Sequence, residues 1–354
     1  MNIKSLLLGS AAALAAVSGA QAADAIVAAE PEPLEYVRVC DAFGTGFFYI
    51  PGTETCLKFG GYVRFQVDVN RGDGHSVGTG RGGYSDWDAF TRAQFEVDTR
   101  TDTELGALRG FIGFRGNADG GTAGAVAGTG NTGSGVFVDQ AFIELGGLKV
   151  GKFYSWWDDG LSGETDELSS NALFNSIRYT YDAGSFWAGA SVDELEGINV
   201  QGFNESDNNV GIALGVGAKL GAASLQLIGG YDVDRENGSV RLIATADVGP
   251  GTLGLAGVWA SGANAYYNVS EWAVAAEYAI KATDKLTLTP GVQYYGNYGL
   301  VSWDDFSNDD GWNAGLTLDY KITQGLSTKI AVNYVDIDNR DDQVTGFVRL
   351  QRSF

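Results

Sequence analysis

LKFGGYVRFQVDV, residues 57–69, decides the fold. Leu57, Phe59, Gly61, Val63, Phe65, Val67 and Val69 share one face, and Lys58, Gly60, Tyr62, Arg64, Gln66 and Asp68 share the other. A period of two sustained over this length is a β-strand, because a helix would bring its apolar residues back every ~3.6 positions. The pattern returns along the chain. Ala93, Phe95 and Val97 alternate with Arg92, Gln94, Glu96 and Asp98. Trp272, Val274, Ala276, Tyr278 and Ile280 form one face of a later segment, with Glu277 and Lys281 on the other; Trp312, Ala314, Leu316, Leu318 and Tyr320 oppose Asn313, Thr317, Asp319 and Lys321. Each segment is about ten residues long, which is what a tilted strand needs to cross a bilayer.

The connections alternate as well. Short turns fall at 101–103, 146–147, 182–184, 221–223, 249–251, 282–284 and 323–325, and longer polar, Gly-rich or acidic segments at 70–89, 116–135, 154–174, 193–208, 232–238, 262–269, 296–310 and 337–342. Seven short and eight long connections imply sixteen strands, an even number, with the short turns on one rim and the long loops on the other. A soluble β-sandwich also alternates, but it turns its polar residues outward and closes an apolar core. In this chain the apolar face carries Trp and Tyr near strand ends, while the other face is small or ionic, which fits a lipid-facing exterior with aromatic girdles around a wet interior. Lipid leaves no water for unpaired backbone groups, so the sheet must close by pairing its first strand with its last, 344–354.

Composition supports this reading by exclusion. Among 354 residues there are 52 Gly, 2 Cys and 1 His, with 8 Trp, 16 Tyr and 18 Phe, so helix is disfavoured, strand is favoured, and the material for zinc or iron–sulfur chemistry is scarce. The sequence predicts no cofactor, no metal site and no catalytic residue. A net charge of -21 opposes a nucleic-acid partner, because phosphate binding needs a basic surface. Beyond the N-terminus no apolar run is long enough for a membrane helix.

Residues 1–22 carry Lys4, an apolar stretch from Leu6 to Val17 and an Ala20-Gln21-Ala22 ending, which reads as a secretory signal peptide cleaved before Ala23. Residues 23–55 read as an N-terminal periplasmic segment, and 56–354 as the barrel. Export into an oxidising compartment predicts that Cys40 and Cys56, the two cysteines of the chain, pair with each other; two unpaired thiols are the alternative.

The stretch from Cys40 through CLKFGGYVRFQVD, VDQAFIELGGLKVGKFY at 138–154, NSIRY at 175–179 and the C-terminal RLQRSF together resemble the outer-membrane porins of alpha-proteobacteria, of the rhizobial and Brucella type. The resemblance runs through the mature chain. It implies an all-β, sixteen-stranded antiparallel transmembrane barrel, a homotrimer embedded in outer-membrane lipid and lipopolysaccharide, and a water-filled channel for small hydrophilic solutes and ions. It also implies that the third long loop folds inward. Arg352 departs from the pattern, standing where such barrels usually place an apolar residue. A rim position lets its side chain snorkel.

Passive transport needs a pore radius and a charged lining, not covalent chemistry. The third long connection holds Asp158, Asp159, Glu164, Asp166 and Glu167, preceded by Trp156 and Trp157. Folded inward, these carboxylates would face Arg64, Arg92, Arg109 and Arg178 on the wall and set a transverse field, with a mild cation preference. Alternatively the acids solvate an external loop and the arginines pair locally with Glu96 or Asp98. The facing of Lys149 and Lys152 stays open. Two GxGxxG matches, at 78–83 and 128–133, lack the strand and helix that a dinucleotide site requires. His75 has no second ligand nearby, and Asp304, Asp305, Asp309 and Asp310 lack the spacing of a dedicated cation loop. A barrel serving chiefly as adhesin or anchor is the second functional class.

Overall fold

A computed structural model describes residues 38–71, 86–119 and 135–354. The chain divides into Met1–Arg38 and Val39–Phe354, and the second unit is a closed barrel. Its strands are β1 (Cys56–Arg71), β2 (Trp87–Thr101), β3 (Leu108–Asp119), β4 (Phe137–Leu145), β5 (Leu148–Tyr154), β6 (Leu173–Asp182), β7 (Phe186–Glu194) and β8 (Val210–Leu220). The second half comprises β9 (Ala223–Asp232), β10 (Asn237–Val248), β11 (Gly251–Ala260), β12 (Ser270–Lys281), β13 (Leu286–Tyr298), β14 (Gly311–Thr323), β15 (Leu326–Ile337) and β16 (Gln343–Ser353). Each strand pairs antiparallel with the next. The ring closes where β16 meets β1, with Val344 opposite Arg71 and Ser353 opposite Tyr62. The sixteen strands and the alternation of short and long connections are as the sequence predicts.

The short rim is built from tight turns. Gly146, Gly221 and Gly249 each open a two-residue hairpin at φ 57°, 68° and 59°, a left-handed conformation that matches the twist of the flanking strands and that other residues adopt at a cost. The outer face is apolar along its length: Phe65, Leu214, Leu242, Val274, Leu316 and Val348 are all exposed, as a lipid-facing band requires. Aromatic side chains gather at its two edges. On the long-loop side, Trp259 sits in register with Trp272, and Trp312 lies 5.4 Å from Tyr334; on the short-turn side stand Tyr181, Phe186 and Tyr320. Arg352 shares the outer face but lies at the short rim, where it donates to the Gln324 carbonyl at 3.2 Å.

The disulfide forms between Cys40 and Cys56. It holds the stretch from Val39 onward against β1: the two-residue strand Phe48–Tyr49 pairs with Leu57 and Cys56, and Phe47 is buried with the two cysteines in one cluster. The proposed signal peptide, most of the 23–55 segment before Arg38, His75 and both GxGxxG stretches lie outside the described residues.

Candidate pore-lining site

Alternation along each strand fixes which side chains face inward, and the inner wall differs from one side to the other. On β7, β8 and β9 many inward positions are glycine. A Cβ on Gly189 would sit 2.7 Å from the Trp156 ring, one on Gly217 2.1 Å from Trp187, and one on Gly230 2.5 Å from Tyr266. These bare backbones form a floor for aromatic rings. Trp156 stacks on Trp187 at 5.3 Å, and Trp157 and Phe174 both pack on Tyr266, at 5.6 and 5.5 Å.

Trp156 and Trp157 begin the connection between β5 and β6. Ser155 accepts a hydrogen bond from the Trp157 amide at 3.1 Å, capping the short turn Trp156–Asp158, and the Ser155 amide donates to the Ala172 carbonyl at 2.7 Å, which closes the neck of the segment. From there residues 155–172 bond to inward-facing side chains of strands on the far side of the ring. The buried Arg241 of β10 donates to the Trp156 and Trp157 carbonyls at 2.8 and 3.0 Å. The Ser162 amide and hydroxyl donate to Glu277 Oε1 of β12 at 2.5 and 2.6 Å, and the Gly163 amide to Oε2 at 2.7 Å. Gln293 of β13 both accepts from the Glu167 amide and donates to its carbonyl, while Asn313 of β14 and Asn333 of β15 donate to the carbonyls of Thr165 and Glu164. A second connection, 261–269, packs against the first. Tyr266 is fully buried, donates its hydroxyl to Asp193 at 2.8 Å and accepts the Ser170 amide on its carbonyl.

The five loop acids occupy different settings. Asp159 accepts from Gln226 Nε2 at 2.7 Å. Glu164 pairs with Lys329 of β15 at 2.7 Å, and Lys329 lies 3.5 Å from Asp319. Asp166 accepts the Leu161 amide at 3.4 Å; burial, and then the Glu277 carboxylate beside it, push its carboxyl up to about 6. Loss of hydration, and then the adjacent Asp159, raise the Asp158 carboxyl against the pull of Arg115 and Arg241. Glu167 is held through its backbone, with its side chain exposed.

The four wall arginines also separate. Arg64 and Arg92 stand opposite each other on β1 and β2, Arg64 donating to Gln351 at 2.9 Å and Arg92 to Asn117 at 2.8 Å. Arg178 of β6 lies over the rings of Phe153 and Trp156, at 4.6 and 4.9 Å. Arg109 lies near the short rim, where it donates to both oxygens of Asp98 and pairs with Glu144 at 3.5 Å. Its local pairing with Asp98 is the alternative raised for these arginines from sequence. Among the described residues, the cation that meets a loop acid directly is Lys329, which sequence reasoning did not select; Arg241, Glu277 and Arg349 were missed as well. Strand parity marks all four as inward, but parity says nothing about which loop will arrive beside them. Lys149 resolves inward, pairing with Glu144 and lying 4.0 Å over the Phe142 ring, while Lys152 has the opposite parity. The aspartates at 305, 309 and 310 accept from Ser302, Asn339 and Tyr294 respectively, each in a separate local bond.

A closed antiparallel barrel with an apolar, aromatic-girdled exterior and a charged interior defines a β-barrel membrane channel. A family profile described as "Porin subfamily" matches residues 24–351, and the chain belongs to that family. It is 50% identical to "Outer membrane protein IIIA" of Rhizobium leguminosarum bv. viciae, over 98% of this chain and 93% of the relative, and 35% identical to "Porin Omp2b" of Brucella suis over the full length of both. Among solved structures it is similar to a loop-deletion variant of OmpT from Vibrio cholerae (TM-score 0.60, 17% identity, 85% of this chain and 100% of the other) and to the outer membrane channel DcaP of Acinetobacter baumannii (TM-score 0.60, 14% identity, 86% and 99%). The protein is an outer-membrane channel for passive diffusion, and its family points away from an enzyme.

Proposed function

We propose that the protein is a general-diffusion porin whose channel is narrowest beside residues 155–172. There the carboxylates of Asp158, Asp159 and Asp166 lie on one side of the water column and Arg64, Arg92 and Arg178, joined by Arg115 and Arg349, on the other. Arg109 belongs to the entrance at the short rim, and the charge of Glu164 is largely answered by Lys329. The observation that carries this reading is the clasp at Glu277: a loop that leaves β5 and is held by a carboxylate on β12 spans the interior between them. Opposed charges in a narrow, partly desolvated passage act with little screening, so they order water and sort ions by sign.

On this reading residues 1–22 are removed on export, the segment from Ala23 lies in the periplasm, and the protein assembles as a homotrimer in outer-membrane lipid and lipopolysaccharide. A trimeric form of Vibrio cholerae OmpT, of similar fold, is consistent with that assembly. Small hydrophilic solutes and ions are the cargo, and the acidic loops give cations a mild preference. Replacing Asp158, Asp159 and Glu164 with their amides is expected to shift the reversal potential in a salt gradient toward anions. An unchanged reversal potential would overturn the charge arrangement.

A further inference from the structure

One short pattern recurs on three neighbouring strands: Tyr62-Val63-Arg64 on β1, Phe90-Thr91-Arg92 on β2 and Phe347-Val348-Arg349 on β16. In each, period two puts ring and guanidinium on the same inward face, and the arginine lies over its own ring at 4.9, 5.3 and 4.3 Å. Each arginine also uses one nitrogen in the same way. Nε of Arg64 donates to Gln351, Nε of Arg92 to Asn117 and Nε of Arg349 to Gln66, at 2.9, 2.8 and 2.6 Å, and each acceptor is the residue directly opposite on the adjoining strand. Ring and amide together fix where the guanidinium points, and both are neutral. Among the described residues no acceptor takes a hydrogen bond from the terminal nitrogens of these three arginines, so the outer fork of each is unused.

The strand registers bring the forks together. Arg64 and Arg92 are cross-strand partners, and Arg349 stands diagonal to Arg64, opposite Gln66. Like charges directly opposite destabilise a sheet, and a carboxylate in place of Gln66, Asn117 or Gln351 would relieve the repulsion; the chain places amides there instead. Asp68 is kept one amide away, accepting from Gln66 Nε2 at 2.6 Å, and Glu164 is taken by Lys329. Arg109 shows the contrast, since Asp98 closes its guanidinium with both oxygens. A planar fork binds an oxyanion through two parallel hydrogen bonds, and several forks around one point match an anion that has several oxygens and more than one charge. We infer that Arg64, Arg92 and Arg349 form a binding site for a doubly charged phosphate group, as inorganic phosphate or a small phosphate monoester, on the wall of the channel. The inference rests on the porin reading and deepens it, by naming a solute that the basic wall holds. Occupation cancels positive charge on that wall, so phosphate strengthens the preference for cations, and binding must be weak enough to release.

The test is the reversal potential of the full-length protein in planar bilayers, in a fixed potassium chloride gradient at about pH 8, with inorganic phosphate titrated into both baths at constant ionic strength. Native protein is expected to show a shift toward cations that saturates with phosphate, and nitrate in its place should give no saturating shift. Arg64→Lys keeps the charge and loses the fork, so the half-saturating concentration should rise about tenfold, as the loss of one charge-assisted hydrogen bond implies. Gln351→Glu leaves all three arginines in place and sets a carboxylate against Arg64, and it should weaken phosphate binding likewise. A native shift that grows with phosphate without saturating overturns the site. So does an equal saturating shift with nitrate, or a half-saturating concentration unchanged in both variants. A native protein that passes no ion current overturns the porin reading instead.

Discussion

Two sides of one barrel solve different problems. From β7 to β14 the inner wall carries glycine, small residues and neutral or single charged anchors such as Gln293, Thr317, Arg241 and Glu277, each buried under residues 155–172 or 261–269. From β15 through β16 and around to β6 it carries Lys329, Arg349, Arg64, Arg92, Arg115, Arg109 and Arg178, held in line by Gln66, Gln94, Gln351 and nearby acids. The first side is a bed for loops. The second stays charged, and its arginines lie over Tyr62, Phe90 and Phe347, which fixes each guanidinium without neutralising it. A single barrel thus divides its circumference between mechanical support and electrostatics.

The Glu277 clasp is where this division breaks most easily. Glu277→Ala removes the acceptor of three donors, and at roughly 1–3 kcal/mol for each group left unpaired the loop loses most of its hold on β12. Single-channel conductance should rise and become noisier, and Glu277→Gln, which keeps an acceptor oxygen, should fall between the two. A conductance equal to the native value would mean that the loop does not limit the channel.

A smaller effect separates neighbouring glycines on β9. Gly230 faces inward, and an added Cβ would meet the Tyr266 ring at 2.5 Å, whereas one on Gly229, facing outward, would find its nearest atom at an ordinary 3.6 Å. Gly230→Ala should therefore cost about 1–3 kcal/mol of unfolding stability by overpacking. Gly229→Ala should be neutral or add up to roughly 0.5–1 kcal/mol, because glycine in a strand interior loses more freedom on folding. Urea unfolding in detergent micelles measures both, and equal losses at the two positions would refute the idea of a glycine floor.

Much of this was legible in the chain. Period two, the turn glycines and the alternation of short and long connections yielded the strand count, and export with two cysteines yielded the disulfide. The inward facing of Arg64 and Arg92 followed from parity alone. Depth did not, because strand tilt and shear decide it, and for that reason Arg109 looked equivalent to Arg92 when it lies at the rim with Asp98. The loop anchors were hidden for a related reason: Glu277 and Arg241 acquire their roles only after closure places β12 and β10 across from β5. In the sequence, residues 262–269 look like one more polar loop. Their signal was Tyr266 and Tyr267 side by side without a single acid or base between 261 and 270, an unusual content for a loop meant for water.

The smallest effect concerns one proton on the boundary between the two sides. Asp166 faces Glu277 across the clasp, with Arg241 as the nearby cation and the Leu161 amide as a donor, and the balance lifts its carboxyl from 3.8 to about 6. A carboxyl raised in the folded state binds its proton more tightly there than in the unfolded chain, so its ionisation works against the folded loop. That contribution to stability falls as pH rises from about 4 through 6, and is recovered on acidification. Lowering the bath from pH 7 to pH 5 should then do two things at once: remove one negative charge from the acidic side, weakening cation preference, and tighten the loop, lowering conductance noise. Asp166→Asn should show both properties already at pH 7 and lose the step centred near pH 6 in a titration of reversal potential. A native titration with no step between pH 5 and 7 would place Asp166 outside the ion path.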